Sequence, residues 1–140
     1  MQPAERAFLE RARVGRLATV DDEGRPHAVP ICYELLDGRR LVSAIDEKPK
    51  STRELRRVRN VRSNPRVAVI VDRYVEDWRG LAWVQVRGRA RVLEPSATSH
   101  EDDARALTEK YDQYADHDLA ARPILEIEVG STVSWGSLEG

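Results

Sequence analysis

The chain has little of what several function classes require. Of its 140 residues only one, Cys32, is cysteine. No internal disulfide can form, and a reducing compartment, the cytoplasm, is the expected location. Three histidines, His27, His100 and His117, lack the spacing of metal ligands, and no second cysteine stands with them. No metal site is expected. Cys32 has no identifiable base partner in the sequence, which leaves it a small apolar role rather than that of a nucleophile. Aromatic residues make up 6% of the chain, too few to interleave with the arginines as a nucleic-acid surface does. No run approaches the roughly 18–20 apolar residues of a membrane span. There is no Gly-x-Gly-x-x-Gly and no Walker loop. The N-terminus, MQPAERAFLERARVG, is charged and amphipathic, unlike a leader peptide. No repeat, linker or low-complexity stretch interrupts the sequence, so residues 1–140 are read as one domain.

What is present is positive charge on one element. Between Lys48 and Arg66 stand two lysines, six arginines and a single acid, Glu54. That segment carries +7 in a chain whose net charge is −1, so the remainder carries −8. Concentrated cations beside hydroxyls and a helix start are what an anionic group, most simply a phosphate, requires.

The order of elements follows from periodicity. Pro3 opens a helix with Phe8, Leu9 and Ala12 on its apolar stripe, ended by Gly15. Val14–Val20 reads as a strand, and Asp21-Asp22-Glu23-Gly24 as a hairpin turn. Val29, Ile31, Tyr33 and Leu35 alternate along one second strand, with Ala28, Pro30 and Cys32 on its other face. Pro30 lacks a ladder donor, which places it at an edge, a bulge or a ligand-facing position. Asp37-Gly38 turns into strand three, Leu41–Ile45. A helix after Lys50 is capped by Ser51-x-x-Glu54 and buries Leu55, Val58 and Val61; Asn64-Pro65 stops it. Arg66–Val71 is a continuous apolar strand expected to be buried on both faces. Ala82–Leu93 is a long strand with a two-residue period and Gly88 as a bulge or bend. Its Arg87, Arg89 and Arg91 suit either a polyanion or cross-strand ion pairs. Thr98-x-x-Glu101 caps a last helix with the stripe Ala104, Leu107, Tyr111 and Tyr114. Ile124–Val129 is the final strand, followed by a tail carrying Trp135. Six strands joined mainly by hairpins predict a mainly β, α+β fold: an antiparallel sheet closed into a small barrel with flanking helices.

Residues Gly15–Val71 present a particular series: Gly-x-Leu-Ala-Thr, a Gly-x-Pro turn, a Pro-bearing strand, Lys-Pro-Lys-Ser and Asn-Pro-Arg-Val. In this order they resemble the pyridoxamine 5′-phosphate oxidase-like split β-barrel family, and within it the flavin/deazaflavin oxidoreductases that use coenzyme F420. The resemblance loosens beyond Val71 but runs to the end of the chain. It implies a homodimer whose two cofactor sites lie in grooves walled by both protomers. It also implies hydride transfer between a bound deazaflavin and a small organic substrate. FMN is the alternative cofactor, haem is conceivable, and a non-catalytic cofactor carrier is the alternative function. No nucleic acid or membrane partner is expected.

By the same resemblance Lys48, Lys50 and Ser51 match the phosphate-binding loop, with Arg57 next along the helix. Pro30, Ile31, Ser43, Ala44 and Ile45 match positions that hold the cofactor ring, where small or apolar residues let a flat heterocycle lie close. Trp78 and Trp135 are placed either to flank that ring or to pack structurally. His27 reads as a surface residue or a neighbour of the site. Catalytic residues are not identified; solvent and Tyr33 are the available proton donors.

Overall fold

The structure, a computed structural model, describes residues 1–45 and 55–139. Three helices, α1 (Pro3–Arg11), α2 (Arg56–Ser63) and α3 (His100–Lys110), flank seven strands: β1 (Gly15–Val20), β2 (Pro26–Ile31), β3 (Glu34–Leu36), β4 (Arg40–Ala44), β5 (Arg66–Arg73), β6 (Ala82–Leu93) and β7 (Ile124–Gly136). All pairings are antiparallel, in the order β2-β1-β5-β6-β7-β4-β3. The class is the α+β antiparallel one that the sequence predicts. The strand count is seven rather than six, because the second expected strand divides.

That division closes the barrel. β2 and β3 sit at opposite edges of the sheet order, yet only Cys32 and Tyr33 separate them. Three residue steps reach at most about 10 Å, so the two edges must meet. Side chains satisfy the backbone at this seam, where the ladder is broken. The Ser43 hydroxyl donates to the Cys32 carbonyl at 2.7 Å. The Tyr33 N–H donates to the Tyr111 hydroxyl at 3.0 Å, and that hydroxyl lies 2.9 Å from the Tyr33 carbonyl. Tyr33 itself turns inward, fully buried, and its hydroxyl donates to the Leu9 carbonyl at 2.6 Å.

Two packed clusters follow. Leu17, Val69, Val84, Val86, Leu125 and Ile127 fill the barrel interior, and Phe8 and Leu9 of α1 plug it. Glu5 fastens that plug: its carboxylate accepts from the Gln2 N–H and the Thr132 hydroxyl, both at 2.9 Å. The second cluster, with Val42, Leu93, Leu107, Tyr111, Tyr114 and Ile124, lies under α3. β4 is therefore the strand buried on both faces. The sequence expectation gave that role to β5, and the structure corrects it: Val67, Val69 and Val71 are buried, whereas Ile70 is 36% exposed. Arg66, Ile70 and Asp72, on the outward face of β5, are exposed, so its apolar run is not a sign of double burial.

Boundaries differ in three other places. The tail carrying Trp135 belongs to β7, which reaches Gly136 and pairs with β6 along its whole length. α1 ends at Arg11 and Gly15 opens β1. α3 starts at His100 with Ser99 before it, and no side chain caps it, so Thr98 does not serve as the cap. The Ser51–Glu54 cap lies outside the described residues. Gly88 is the bulge: pairing shifts register between Arg87 and Gly88. A Cβ there would stand 2.2 Å from the Glu128 carbonyl oxygen, so only glycine allows β6 and β7 to approach at the bend.

An ion network ties α3 to the barrel. Arg40 on β4 donates to both carboxylate oxygens of Asp103 on α3, at 3.3 and 2.7 Å, and to Glu126 on β7 at 2.8 Å. Arg91 on β6 donates to the other Glu126 oxygen at 2.7 Å. Burial alone would raise the Glu126 carboxyl, but hydrogen bonds from Arg91 and Arg40 outweigh it and hold it below its ordinary value. For Arg91 the ion-pair reading of the arginine ladder holds; Arg87 bonds Gln85 at 3.2 Å.

Candidate functional site

The β2–β3 seam, β4 and α2 converge on a small cleft of about 170 Å³. Pro30, Ile31 and Cys32 line it from the seam, Ser43 and Ala44 from β4, Arg57 from α2 and Tyr114 from the turn after α3. Five residues singled out in the sequence thus come together: Pro30, Ile31, Ser43, Ala44 and Arg57. The fold explains the convergence. Pro30 sits on edge strand β2, paired with Arg16, a place where a strand tolerates proline's missing N–H. Ser43 is drawn to the seam by its bond to Cys32. Val58 and Val61 anchor α2 through its buried side, which leaves Arg57 half-buried at the cleft.

The other named positions fall elsewhere. Ile45 is half-buried against the barrel core, and its N–H donates to the Pro123 carbonyl at 3.2 Å. Trp78, in the turn Trp78–Gly80, is 69% exposed and outside this cleft. Lys48, Lys50 and Ser51 lie outside the described residues. His27, on β2, faces a neighbouring cleft with Arg25 and Arg56. Cys32 and Tyr114 were missed as lining residues. The alternation of Ala28, Pro30 and Cys32 carried a signal for Cys32, since it shares the face of Pro30. Nothing local in the sequence brings Tyr114 to β2.

Tyr33 does not serve as a proton donor here. It is fully buried, its hydroxyl is committed to Leu9, and burial pushes its phenol well above the ordinary value. Tyr111 behind it is pushed up to about 12, first by burial. Lys110 stands against both rings, its Nζ 4.4 Å from the Tyr33 centroid and 5.4 Å from that of Tyr111. Glu34 is 3.9 Å away, and burial pushes the amine down despite it. Among the described residues, groups of histidine, cysteine, aspartate or glutamate able to hold a metal ion are absent.

Two features of the cleft bear on ligands. Arg57 has no acidic partner within ion-pair distance among the described residues, whereas Arg56 and Arg59 line a separate cleft with Asp21 and Asp22. Pro30 also lies on an outer sheet face of mixed character, where exposed apolar side chains stand among Arg16, Gln85, Arg87 and Asp72. Pro30 belongs to the cross-strand row Pro30–Arg16–Ile70–Gln85–Val133. The rows beside it are Ala28–Ala18–Ala68–Arg87–Ser131 and Asp72–Trp83–Trp135. Val133 is 45% and Trp135 54% exposed.

A seven-stranded antiparallel barrel, closed by a split strand and bearing a cation-edged cleft on its outer wall, defines the class. Residues 1–136 match the family model for pyridoxamine 5′-phosphate oxidase, and the chain belongs to that family. Over 68 residues it is 38% identical to a 5a,11a-dehydrotetracycline/5a,11a-dehydrooxytetracycline reductase of Streptomyces rimosus. That match spans 49% of this chain and 46% of the relative, about half of each. Among solved structures, a conserved hypothetical protein from Mycobacterium tuberculosis is 25% identical with a TM-score of 0.75, covering 97% of this chain and 85% of its own. An FAD-binding protein from Mesorhizobium loti is 28% identical with a TM-score of 0.69, covering 96% and 94%. A haem-binding protein from Mycobacterium smegmatis, 22% identical with a TM-score of 0.74 over 100% of this chain and 57% of its own, shares the fold. No helix among the described residues is long and apolar enough to cross a membrane.

Proposed function

We propose that the protein is an oxidoreductase that holds a flavin-type cofactor, F420 in the first place and FMN as the alternative, against the Pro30–Tyr114 cleft. The observation that carries this reading is the juxtaposition in that cleft: small and apolar residues from two strands beside Arg57, a cation without an acidic partner among the described residues. A flat ring needs the first and an anionic handle the second. The relatives named as a reductase and as an FAD-binding protein support it.

The residues fit such a group in kind, though one protomer is not enough in size. Pockets that hold cofactor-sized ligands run to about 300–1,000 Å³, more than the cleft of about 170 Å³ offers. A second wall is needed, and the exposed Ile70, Val133 and Trp135 on the outer face that includes Pro30 supply a reason for one. The functional unit in this reading is a homodimer packed on the outer faces of β5, β6 and β7, with Trp78 free to reach the partner's cleft. When bound, the cofactor supplies the hydride-carrying ring. The chain's part is to bind and orient it: Arg57, with Lys48, Lys50 and Ser51, holds the anion; Pro30, Ile31 and Ala44 exclude water from one side of the ring. The Ser43 hydroxyl, already donating to Cys32, sets the shape of the cleft and acts through it.

The test is a side-by-side titration of the purified protein with F420 and FMN, followed by turnover assays with the reduced cofactor. Arg57→Ala and Lys50→Ala should each weaken binding by about 1–3 kcal/mol, the scale of a lost charge-assisted contact. Affinity for both cofactors unchanged in both variants would remove the assignment. Binding without turnover toward any acceptor would make the protein a carrier. Val133→Asp on the outer face should shift sedimentation from dimer toward monomer; a wild-type monomer would overturn the two-walled site.

A further inference from the structure

A larger cleft lies on another part of the barrel and shares no lining residue with the first. It measures about 480 Å³ and is bounded by the α1–β1 connection and the end of β5. Arg11, Arg13, Arg16 and Arg73 line it against a single acid, Asp72, with Tyr74 at its side. The lining is thus strongly positive in a chain whose net charge is −1.

How the arginines are held matters more than their number. Arg16 is paired with Asp72 at 2.8 Å. The other three are fixed by neutral carbonyls. Arg11 donates to Leu138 at 2.9 Å, Arg13 to Lys110 at 2.8 Å, and Arg73 to Gly80 at 3.0 Å and to Ser137. A carbonyl orients a guanidinium without cancelling its charge, and each guanidinium keeps N–H donors to spare from its five. Arg73 also lies over the Phe8 ring at 5.5 Å and Arg13 over Tyr111 at 4.7 Å. These cations are therefore placed before any ligand arrives, and ordering them costs little on binding. Tyr74, 62% exposed, offers a flat apolar face beside them.

We infer that this cleft is a binding site for a small molecule carrying two or three anionic oxygens, carboxylate or phosphate, on a flat ring. The fixed arginines take the anionic oxygens and Tyr74 takes the ring. The site shares no lining residue with the Pro30–Tyr114 cleft, although Arg16 and Asp72 stand in the outer-face rows around Pro30.

The test is a titration of the full chain, isotopically labelled, with three probes: benzene-1,3,5-tricarboxylate, phenyl phosphate and propane-1,2,3-tricarboxylate. Amide resonances of Val14, Arg16 and Tyr74 should shift saturably with one or both ring-bearing probes, and the tighter of these names the anion class. The propane compound should bind more weakly; equal affinity would overturn the role of the ring. The double variant R11Q/R16Q should weaken binding at least tenfold, and Tyr74→Ser, which removes only an exposed side chain, should weaken it several-fold. Arg105→Gln, at an exposed position on α3, should leave it unchanged. Absence of saturable shifts, shifts centred elsewhere, or wild-type affinity in the folded R11Q/R16Q variant would overturn the proposal.

Discussion

Arg40 is where one substitution should cost most. Its guanidinium accounts for both carboxylate oxygens of Asp103, whose side chain is 2% exposed, and for one oxygen of Glu126, at 7%. In Arg40→Met, Glu126 keeps Arg91, but Asp103 loses the ion pair that compensates its burial. Removing one partner of a buried pair costs about 3–5 kcal/mol. The Arg40 side chain is 28% exposed, so solvent screening places the loss near the lower end, about 3 kcal/mol. With about 2.1 cal/mol/K of unfolding entropy per residue, a chain of 140 residues should lose about 10 °C in Tm. Calorimetry at neutral pH measures this directly. Two comparisons separate the cause from general damage. Arg40→Met with Asp103→Leu removes the orphaned charge along with its partner and should recover most of the loss. Arg105→Ala breaks only exposed pairs and should change little. A Tm drop under about 3 °C in Arg40→Met, or no recovery in the double variant, would refute the view that this network fastens α3 to the barrel.

Two further predictions concern pH. Asp21 is held at about 2, below its ordinary 3.8, chiefly by the Arg25 N–H and then by the Arg25 side chain. A carboxyl lowered on folding stabilises above its unfolded value and loses that contribution as pH falls. Wild type should therefore exceed Asp21→Asn in stability at neutral pH, and acid denaturation curves should converge between about pH 4 and pH 2. A constant difference across that range would contradict the assignment. Lys110 runs the other way. Burial lowers its amine from 10.5, so the unfolded chain binds this proton more readily than the folded one. Its penalty is present at neutral pH and disappears as pH rises, in a window that ends near 10.5. Lys110→Met should abolish that rise in a urea-denaturation series; a rise that persists would place its cause in another group.

Much of this protein was legible before folding was considered. Turn chemistry marked Asp21–Gly24, where Gly24 takes φ of 81°, and Asn64-Pro65 ended α2 where it should. Two-residue alternation gave β6 its bounds, and Gly88 announced the bulge. These are local effects, set by backbone sterics and by which side chains must leave water. The cluster of cations on α2 is likewise a property of composition along one stretch.

Contacts between distant segments decided the remainder. The stretch from Val29 to Leu35 alternates like one strand, and only closure of the barrel divides it, because its two halves pair with β1 and β4. Whether an apolar strand is buried on one face or two depends on where a helix lands, so α3 covers β4 and leaves β5 bare. Tyr114 reaches the Pro30 cleft, and four arginines gather at the other end of β5, only through packing between parts of the chain far apart in order. Periodicity and charge determine which residues must find partners; the tertiary fold chooses the partners, since burial and ion pairing depend on distance in space rather than along the chain.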